Sequence, residues 1–250
     1  MFIMNSSFDL KISIVVPALN EEDNLRDTVE AIIRCFSAIV SEFEILIYDD
    51  NSSDRTPEVA DELARSYKNV RAFHNSSCRN IGGIYKQGLQ AAKYDYFMLI
   101  TGDNEVIIER LLPAFAYLKE TDAIIFYHAN EYARPLFRQF LSHTYTAIIN
   151  LIFFTRFKYT NDTNIYKKSL LTGIRIVADD FSYQTEVIIK LAKKGMKFVE
   201  FGKDIRQRIH GKSKSTTLKS FCSVCKSIFC LWLEVMVVNR KKYRAPQLRN

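Results

Sequence analysis

The chain has 250 residues, 48% hydrophobic and 25% charged, a composition that excludes disordered and collagen-like classes and is long enough for a full core. Lys+Arg 35 against Asp+Glu 28 leaves a net charge of +7, moderately basic and suited to an anionic partner. The basic excess gathers in residues 203–219 and 239–249, favouring a local phosphate site or a membrane surface, and no basic run is interleaved with aromatics as in a nucleic-acid module.

Residues 11–16 read as a β-branched strand, and Met1 to Leu10 as a short lead-in without signal-peptide character. Pro17 to Asn20 breaks the strand. Asn20 is placed to cap a helix over 21–40, with Glu21, Glu22 and Asp23 in its acidic first turn and Leu25, Val29, Ile32, Ile33 and Phe36 at helical spacing. A second strand, 43–48, ends at Asp49-Asp50-Asn51-Ser52-Ser53-Asp54. Thr56-Pro57 opens a helix to about Tyr67, Val70 to Phe73 is a short strand, and a loop from Arg79 to Gly83 leads to a helix through Ala92. A strand at 96–100 follows. Strands and helices thus alternate with connections short enough for right-handed crossovers, which predicts a doubly wound, mostly parallel α/β sheet with helices on both faces.

Beyond it, the pattern gives a helix near 109–119, a strand from Asp122 to His128 and a long helical stretch over 134–157. Its continuous apolar core, Ala147 to Phe154, is too short to span a bilayer and is interrupted by Asn150, so the stretch reads as a buried core helix in preference to a membrane-surface one. Ile165-Tyr166 resembles a short strand, 181–194 a helix stopped by Gly195 at C′, and 197–201 a strand. A basic loop, 202–217, precedes a last helix over 217–239. Lys219, Lys226 and Glu234 interrupt it, so it reads either as an interfacial helix with Trp232 near the headgroups or as one packed on the domain. This divides the chain into a catalytic part, 1–215, and a C-terminal amphipathic helix with basic tail, 216–250. The five cysteines lack framework spacing and read as reduced thiols of a cytosolic compartment; Cys222-x-x-Cys225 lacks the second ligand pair of a zinc site.

The stretch around which the rest is organised is 97–105. Phe97 to Ile100 is a short apolar strand running into Thr101-Gly102-Asp103-Asn104-Glu105. Open parallel sheets bind ligands beyond the carboxyl ends of their strands, where the loops 17–22, 49–54 and 101–105 converge. Asp103 and Glu105 share a face in extended chain, and two carboxylates there can hold a hard divalent cation that also grips phosphate oxygens.

Val15-Val16-Pro17-Ala18-Leu19-Asn20-Glu21-Glu22, Asp49-Asp50-Asn51-Ser52-Ser53-Asp54-Arg55-Thr56 and Arg79-Asn80-Ile81-Gly82-Gly83 together resemble successive motifs of family 2 glycosyltransferases of GT-A fold. Arg208-Ile209-His210-Gly211-Lys212-Ser213-Lys214 is similar to the signature of the polyprenyl-phosphate branch, typified by dolichol-phosphate mannose synthase. The resemblance spans roughly 11–215. It implies a nucleoside-diphosphate sugar donor and transfer with inversion to a polyprenyl phosphate at the cytoplasmic face of a membrane. Two alternatives are an inverting transfer to a sugar hydroxyl, and a nucleotide-sugar-binding homologue with little turnover.

Residue by residue, the resemblance assigns Pro17, Leu19 and Glu21 to the nucleotide loop, Asp50 to the nucleoside, and Gly82 and Gly83 to close approach of backbone and ligand. Asp103 becomes a ligand of Mg²⁺ or Mn²⁺. The family's usual Asp-x-Asp is here Thr101-Gly102-Asp103, and Glu105 is placed to restore the lost charge. Arg208 and Lys214 are candidates for stabilising the departing diphosphate, and Arg134 and Arg138 for holding an acceptor phosphate. For a hydroxyl acceptor the candidate bases are Asp179, Asp180 and Glu186, with Asp180 carried as catalytic.

Overall fold

Among the described residues, seven strands form one mixed sheet in the order β3-β2-β1-β4-β6-β5-β7. The structure, a computed structural model, describes residues 8–130, 134–206 and 218–243, with backbone alone for 218–222. The elements in chain order are β1 (Phe8–Ala18), α1 (Leu25–Phe36), β2 (Val40–Asp49), α2 (Thr56–Ser66), β3 (Val70–His74), α3 (Asn80–Ala91) and β4 (Tyr96–Leu99). Then follow two 3₁₀ turns (Ile108–Arg110 and Leu112–Lys119), β5 (Ala123–His128), α4 (Leu136–Phe153), β6 (Ile165–Lys167), α5 (Lys168–Thr172), α6 (Tyr183–Lys193), β7 (Phe198–Lys203) and α7 (Leu218–Trp232). A π-helical turn, Leu233–Val238, continues α7.

The predicted doubly wound, mostly parallel α/β sheet is present. Successive residues of β1 face opposite ways, as the two-residue period of a strand requires. Ile12, Ile14 and Val16 enter a core with α1, α2 and the 3₁₀ turns, whereas Val15 enters a second core with α3, α4 and α6. The pairs β1–β2, β1–β4, β2–β3 and β5–β7 are parallel. The strand β6 is antiparallel to both neighbours, which the pattern of apolar residues did not reveal.

Four expectations are corrected. Phe8 to Leu10 belongs to β1 and is not a lead-in. The helix α1 begins at Leu25, and Asn20 does not cap it: Asn20 has φ 54°, and its side-chain oxygen accepts from the Ser53 N–H at 2.8 Å. The segment after residue 107 is 3₁₀, with Pro113 in the first turn of the second piece, rather than α-helix. Lastly, α4 is not a buried core helix. Thr146, Ile149 and Phe153 are buried, but Leu136, Phe137, Phe140, Leu151 and Phe154 are exposed.

The C-terminal helix packs on the body of the protein. Leu231, Val235 and Tyr243 are buried in the second core. Lys190 of α6, fully buried, donates to Glu186 at 2.7 Å, to Glu234 at 2.8 Å and to the Arg175 carbonyl at 2.8 Å. Its three ammonium protons thus have three acceptors, the condition under which a charge is tolerated inside a protein.

Candidate active site

The three acid-bearing loops meet at the carboxyl edge of β1, β2 and β4. The Asp50 N–H donates to Ala18 O at 2.9 Å and the Gly102 N–H to Pro17 O at 3.1 Å, so β1 holds both neighbouring loops. Pro17 fits inside a strand because β4 pairs with β1 only as far as Val15, and no ladder bond needs its missing N–H. Leu19 is half-buried in the turn that follows.

The first two motifs interlock. The Asn20 N–H donates to Ser52 Oγ at 2.9 Å, Glu21 N–H to Thr56 Oγ1 at 2.8 Å, and Arg55 N–H to Glu22 Oε2 at 2.9 Å. Glu21 also accepts from Asn24 Nδ2 at 2.8 Å, so its carboxylate organises the turn before α1. Asn20, Asn51, Asn80 and Asn104 all have positive φ, between 54° and 66°. Each sits in a site loop or at its edge, and asparagine is the non-glycine residue that best tolerates left-handed backbone. That recurrence was the available sequence signal for sharp turns, and the sequence reading took only Asn20 from it, as a cap.

Asp50 is buried, and its carboxylate accepts from Arg79 N–H at 2.7 Å, Asn80 N–H at 3.0 Å, Asn75 Nδ2 at 3.1 Å and the Cys78 thiol at 3.1 Å. What Asp50 holds directly is the 75–80 loop leading into α3. Beside that loop a cleft opens at the edge strand β3, lined by Tyr48, Phe73, His74, Asn75 and Gln87.

Gly82 and Gly83 do bring backbone close, but to another part of the chain. The Gly82 N–H donates to Asp179 O at 2.9 Å, and a Cβ at Gly82 would lie 2.5 Å from Ala178 O and 2.8 Å from the Asp179 carbonyl carbon. Asp179 is also ion-paired with Lys86 at 2.6 Å. The pair of glycines therefore docks the 177–180 turn, which carries the candidate bases, onto the first turn of α3.

Asp180 faces α7. It accepts from the Ser182 N–H at 3.0 Å, the Ser182 hydroxyl, Ser223 Oγ at 2.5 Å and Ser227 Oγ at 3.2 Å. Burial pushes its pKa up, but these bonds outweigh burial and hold it below the ordinary aspartate value. Glu186 is buried and accepts from the Val177 and Ala178 N–H groups as well as from Lys190.

Asp103 is half-buried and accepts from Thr101 Oγ1 at 2.7 Å and, more weakly, from Glu105 N–H at 3.3 Å, both on one carboxylate oxygen. Thr101, standing where the family has an acid, is thus a donor that orients Asp103. The strand-like contact of Val106 with Ile205 brings in the segment that precedes the basic motif. The Arg206 N–H donates to Glu105 O at 2.9 Å and its guanidinium to Asn104 at 3.1 Å. Arg208 and Lys214 lie outside the described residues. Arg134 is half-buried and donates to Tyr159 OH at 3.2 Å. Burial opposes its charge, but Tyr159, Asp162 and Glu105 outweigh burial and raise its pKa. Arg138 is half-buried in the first turn of α4, near Arg134 in sequence.

Sequence reading missed a buried cluster behind this rim. Asp162 pairs with Lys203 at 2.9 Å and His128 at 3.3 Å, joining the entry of β6 to the ends of β5 and β7. Its pKa is lowered: burial acts upward, and the charges of Lys203 and His128 overcome it.

Among the described residues no group of three or more His, Cys, Asp or Glu side chains forms a metal cage. The donor set at Asp103 nonetheless fits Mg²⁺ or Mn²⁺. One hard carboxylate in a polar loop is what such a cation takes from a protein when substrate phosphates and water complete its shell.

The sequence pattern of glycosyl transferase family 2 matches residues 13–177, well over half of the chain. Glycosyltransferase AglD of Haloferax volcanii is 22% identical over 245 residues, covering 91% of this chain and 38% of that protein. A dolichol-phosphate mannosyltransferase of Pyrococcus furiosus is 23% identical over 223 residues, covering 84% of this chain and 61% of its own length. The chain therefore spans less than two thirds of either relative. Among solved structures, glucosyl-3-phosphoglycerate synthase from Mycobacterium tuberculosis, crystallised with Mn²⁺, UDP-glucose and phosphoglyceric acid, aligns with a TM-score of 0.64 at 15% identity, covering 96% of this chain and 81% of that one.

Proposed function

The chain belongs to glycosyl transferase family 2 and is a glycosyltransferase, and on that footing we propose that it moves a sugar from a nucleoside-diphosphate sugar to a polyprenyl phosphate, with inversion. The observation that carries this choice of acceptor is the engagement of every candidate base. Asp179 is paired with Lys86, Asp180 takes three serine hydroxyls and an N–H, and Glu186 takes two N–H groups and Lys190. A sugar hydroxyl needs a positioned base with a pKa near the working pH, whereas a phosphate monoester is already an anionic nucleophile. The dolichol-phosphate specificity of the Pyrococcus relative supports the same acceptor.

In this reading the acceptor oxygen attacks the anomeric carbon from the face opposite the diphosphate. The new C–O bond forms as the C–O bond to the diphosphate breaks, and the diphosphate leaves with the electron pair. Arg134, fixed by Tyr159, and Arg138 hold the acceptor phosphate. Arg208 and Lys214, on the segment that follows Arg206 beside Asn104 and Glu105, neutralise the leaving group. When bound at Asp103, with Glu105 nearby, a divalent cation supplies further charge stabilisation for that diphosphate. Pro17, Leu19 and Glu21 frame the nucleoside, and Asp50 shapes its site through the 75–80 loop. We assign Asp180 to fastening α7 over the 177–180 turn, and keep the catalytic part at 1–215 and the C-terminal part at 216–250.

A polyprenyl acceptor is met at a bilayer, so the protein works as a peripheral membrane protein at the cytoplasmic face. Among the described residues, no helix is long and apolar enough to cross a membrane. Among the described residues, free thiols at Cys35, Cys225 and Cys230 suit a reducing compartment.

The test is turnover in detergent of a panel of nucleotide sugars, with polyprenyl phosphate or sugar hydroxyls as acceptor, for the wild type and Asp180→Asn. Transfer to the lipid phosphate, retained within about tenfold in the variant, is expected. Transfer to a sugar hydroxyl and not to the lipid phosphate, lost in the variant by the roughly 10²–10⁴-fold that a general base contributes, would return Asp180 to catalysis and overturn the phosphate acceptor.

A further inference from the structure

At the rim of the site, Tyr159 is held by more of the chain than its own burial calls for. It is half-buried and belongs to neither apolar core. Its ring nevertheless lies against the His128 imidazole, with centroids 4.8 Å apart and planes tilted by 51°. His128 is paired with Asp162 at 3.3 Å, and Asp162 with the buried Lys203 at 2.9 Å. The sequence neighbours of Tyr159 are fastened as well. The Lys158 N–H donates to Glu200 of β7 at 2.6 Å, and the Lys158 ammonium lies over the Tyr127 ring at 4.4 Å. Thr160, fully buried, accepts from Thr185 Oγ1 of α6 at 3.3 Å. Three elements, β5, β7 and α6, thus fix one half-buried phenol in place.

That fixed phenol completes a set of donors. The guanidinium of Arg134 carries five N–H groups, and among the described residues one of them is engaged, on Tyr159 OH at 3.2 Å. The phenol oxygen takes this bond on a lone pair, so its own O–H remains a donor beside the other N–H groups of Arg134. Asp162 is committed elsewhere, to Lys203, to His128 and to the Thr163 N–H at 2.6 Å. An arginine whose rotamer is set by an immobile partner gives up less freedom when it binds an anion. A neutral phenol adds a hydrogen bond while drawing less charge from a phosphate than a second cation would, so the anion stays a nucleophile.

We propose that Tyr159 is itself a ligand of the substrate that receives the sugar: its O–H and the remaining N–H groups of Arg134 form one clamp on a phosphate monoester, and the Asp162, His128 and Lys203 cluster is the seat that holds the clamp in register. The inference rests on the phosphate-acceptor reading and deepens it. It adds a second, uncharged contact to the phosphate and gives the buried cluster a task in binding. The same donors would also suit the departing diphosphate, and the test separates the two sources.

The test is calorimetric titration of the full chain with citronellyl phosphate, a soluble isoprenoid phosphate monoester, and separately with pyrophosphate and Mg²⁺. Tyr159→Phe keeps the ring against His128 and removes only the hydroxyl. It and Arg134→Gln are each expected to weaken the monoester roughly tenfold, the scale of one hydrogen bond to a charged group, with pyrophosphate binding and melting temperature unchanged. The double variant is expected to lose little more than either single one, because the two groups act as a unit. His128→Leu, which removes the ring beneath the phenol, is expected to weaken the monoester in the wild type and to add nothing in Tyr159→Phe. Wild-type affinity in Tyr159→Phe, a double variant about a hundredfold weaker, or no monoester binding by the wild type would each overturn the proposal. Loss of pyrophosphate in place of the monoester would overturn it in favour of the leaving group. Failure of the acceptor reading is seen separately, as absent sugar transfer to polyprenyl phosphate by a wild type that still binds the monoester through the clamp.

Discussion

Replacing Lys190 by methionine tests whether α7 is held to the body by charge. The side chain is similar in length, so the cavity term is small, and what is lost is the ammonium. It is fully buried and lies 2.7 Å from Glu186 and 2.8 Å from Glu234. Removing one partner of a buried ion pair costs about 3–5 kcal/mol, because the remaining charge is stranded. The lower end applies here: Glu186 keeps the Val177 and Ala178 N–H groups, and Glu234 keeps the Tyr243 hydroxyl at 3.1 Å and is a quarter exposed. For a chain of this size about 3 kcal/mol lowers the melting temperature by roughly 6–12 °C. The assay uses the chain's one tryptophan, Trp232, which lies at the end of α7. In Lys190→Met its fluorescence transition is expected to precede the loss of far-ultraviolet dichroism, since α7 releases first. Adding Glu234→Leu removes one stranded carboxylate and is expected to recover part of the loss. A single variant that melts within 2 °C of wild type, or a second substitution that adds its full cost to the first, would refute the reasoning.

Asp103→Ala is expected to abolish transfer with the melting temperature unchanged, because the residue sits half-buried in a polar loop; wild-type-like turnover would remove Asp103 from the chemistry. Gly82→Ala forces a Cβ to within 2.5 Å of the Ala178 carbonyl oxygen, backbone that cannot swing aside. Overpacking of that kind costs about 1–3 kcal/mol and displaces the 177–180 turn, so both stability and transfer are expected to fall; an alanine variant with unaltered kinetics would contradict the tight docking. The imidazole of His74 lies 3.1 Å from Asp61 and 3.4 Å from Asp49. Burial lowers its pKa, but the two carboxylates outweigh burial and raise it overall. A raised folded value stabilises fully below the unfolded pKa of about 6.5 and is lost as pH rises through the folded one. Melting temperature is therefore expected to decline from about pH 6 to pH 8 in the wild type and to flatten in His74→Gln, measured by a pH series of melts.

The strand succession and the convergence of three loops were legible because each rests on local signals. Apolar runs such as Ile45–Ile47 and Phe97–Ile100 end at turn residues, and fold topology follows from their alternation with helices. The antiparallel course of β6 was not legible, since a run of three residues carries no mark of direction. The helix α4 was misjudged for a related reason. Its sequence is apolar on most sides, and periodicity does not say which side meets the core; the side that does carries Thr146, Ile149 and Phe153, flanked by the partly buried Tyr145 and Ile152. The candidate residues Asp50, Gly82 and Asp180 stood out in the sequence, but their immediate partners are distant in it. Asn75 and Arg79 on Asp50, Asp179 against Gly82, and Ser223 against Asp180 are contacts made by the tertiary fold.

The reversed strand β6 has a mechanical consequence. It is joined to β4 over three residue pairs, Tyr96↔Lys167, Phe97↔Tyr166 and Met98↔Ile165. On one side of that seam stand β3, β2, β1 and β4 with the two interlocked loops, and on the other β6, β5 and β7 with the Asp162 cluster. Each group keeps its long parallel pairing, β1 with β2 and β5 with β7, when the seam parts. Deuterium uptake at the Phe97 and Tyr166 amides is therefore expected to outpace that in the middle of β1, and a donor and acceptor bound across the rim would slow it by bracing one group against the other.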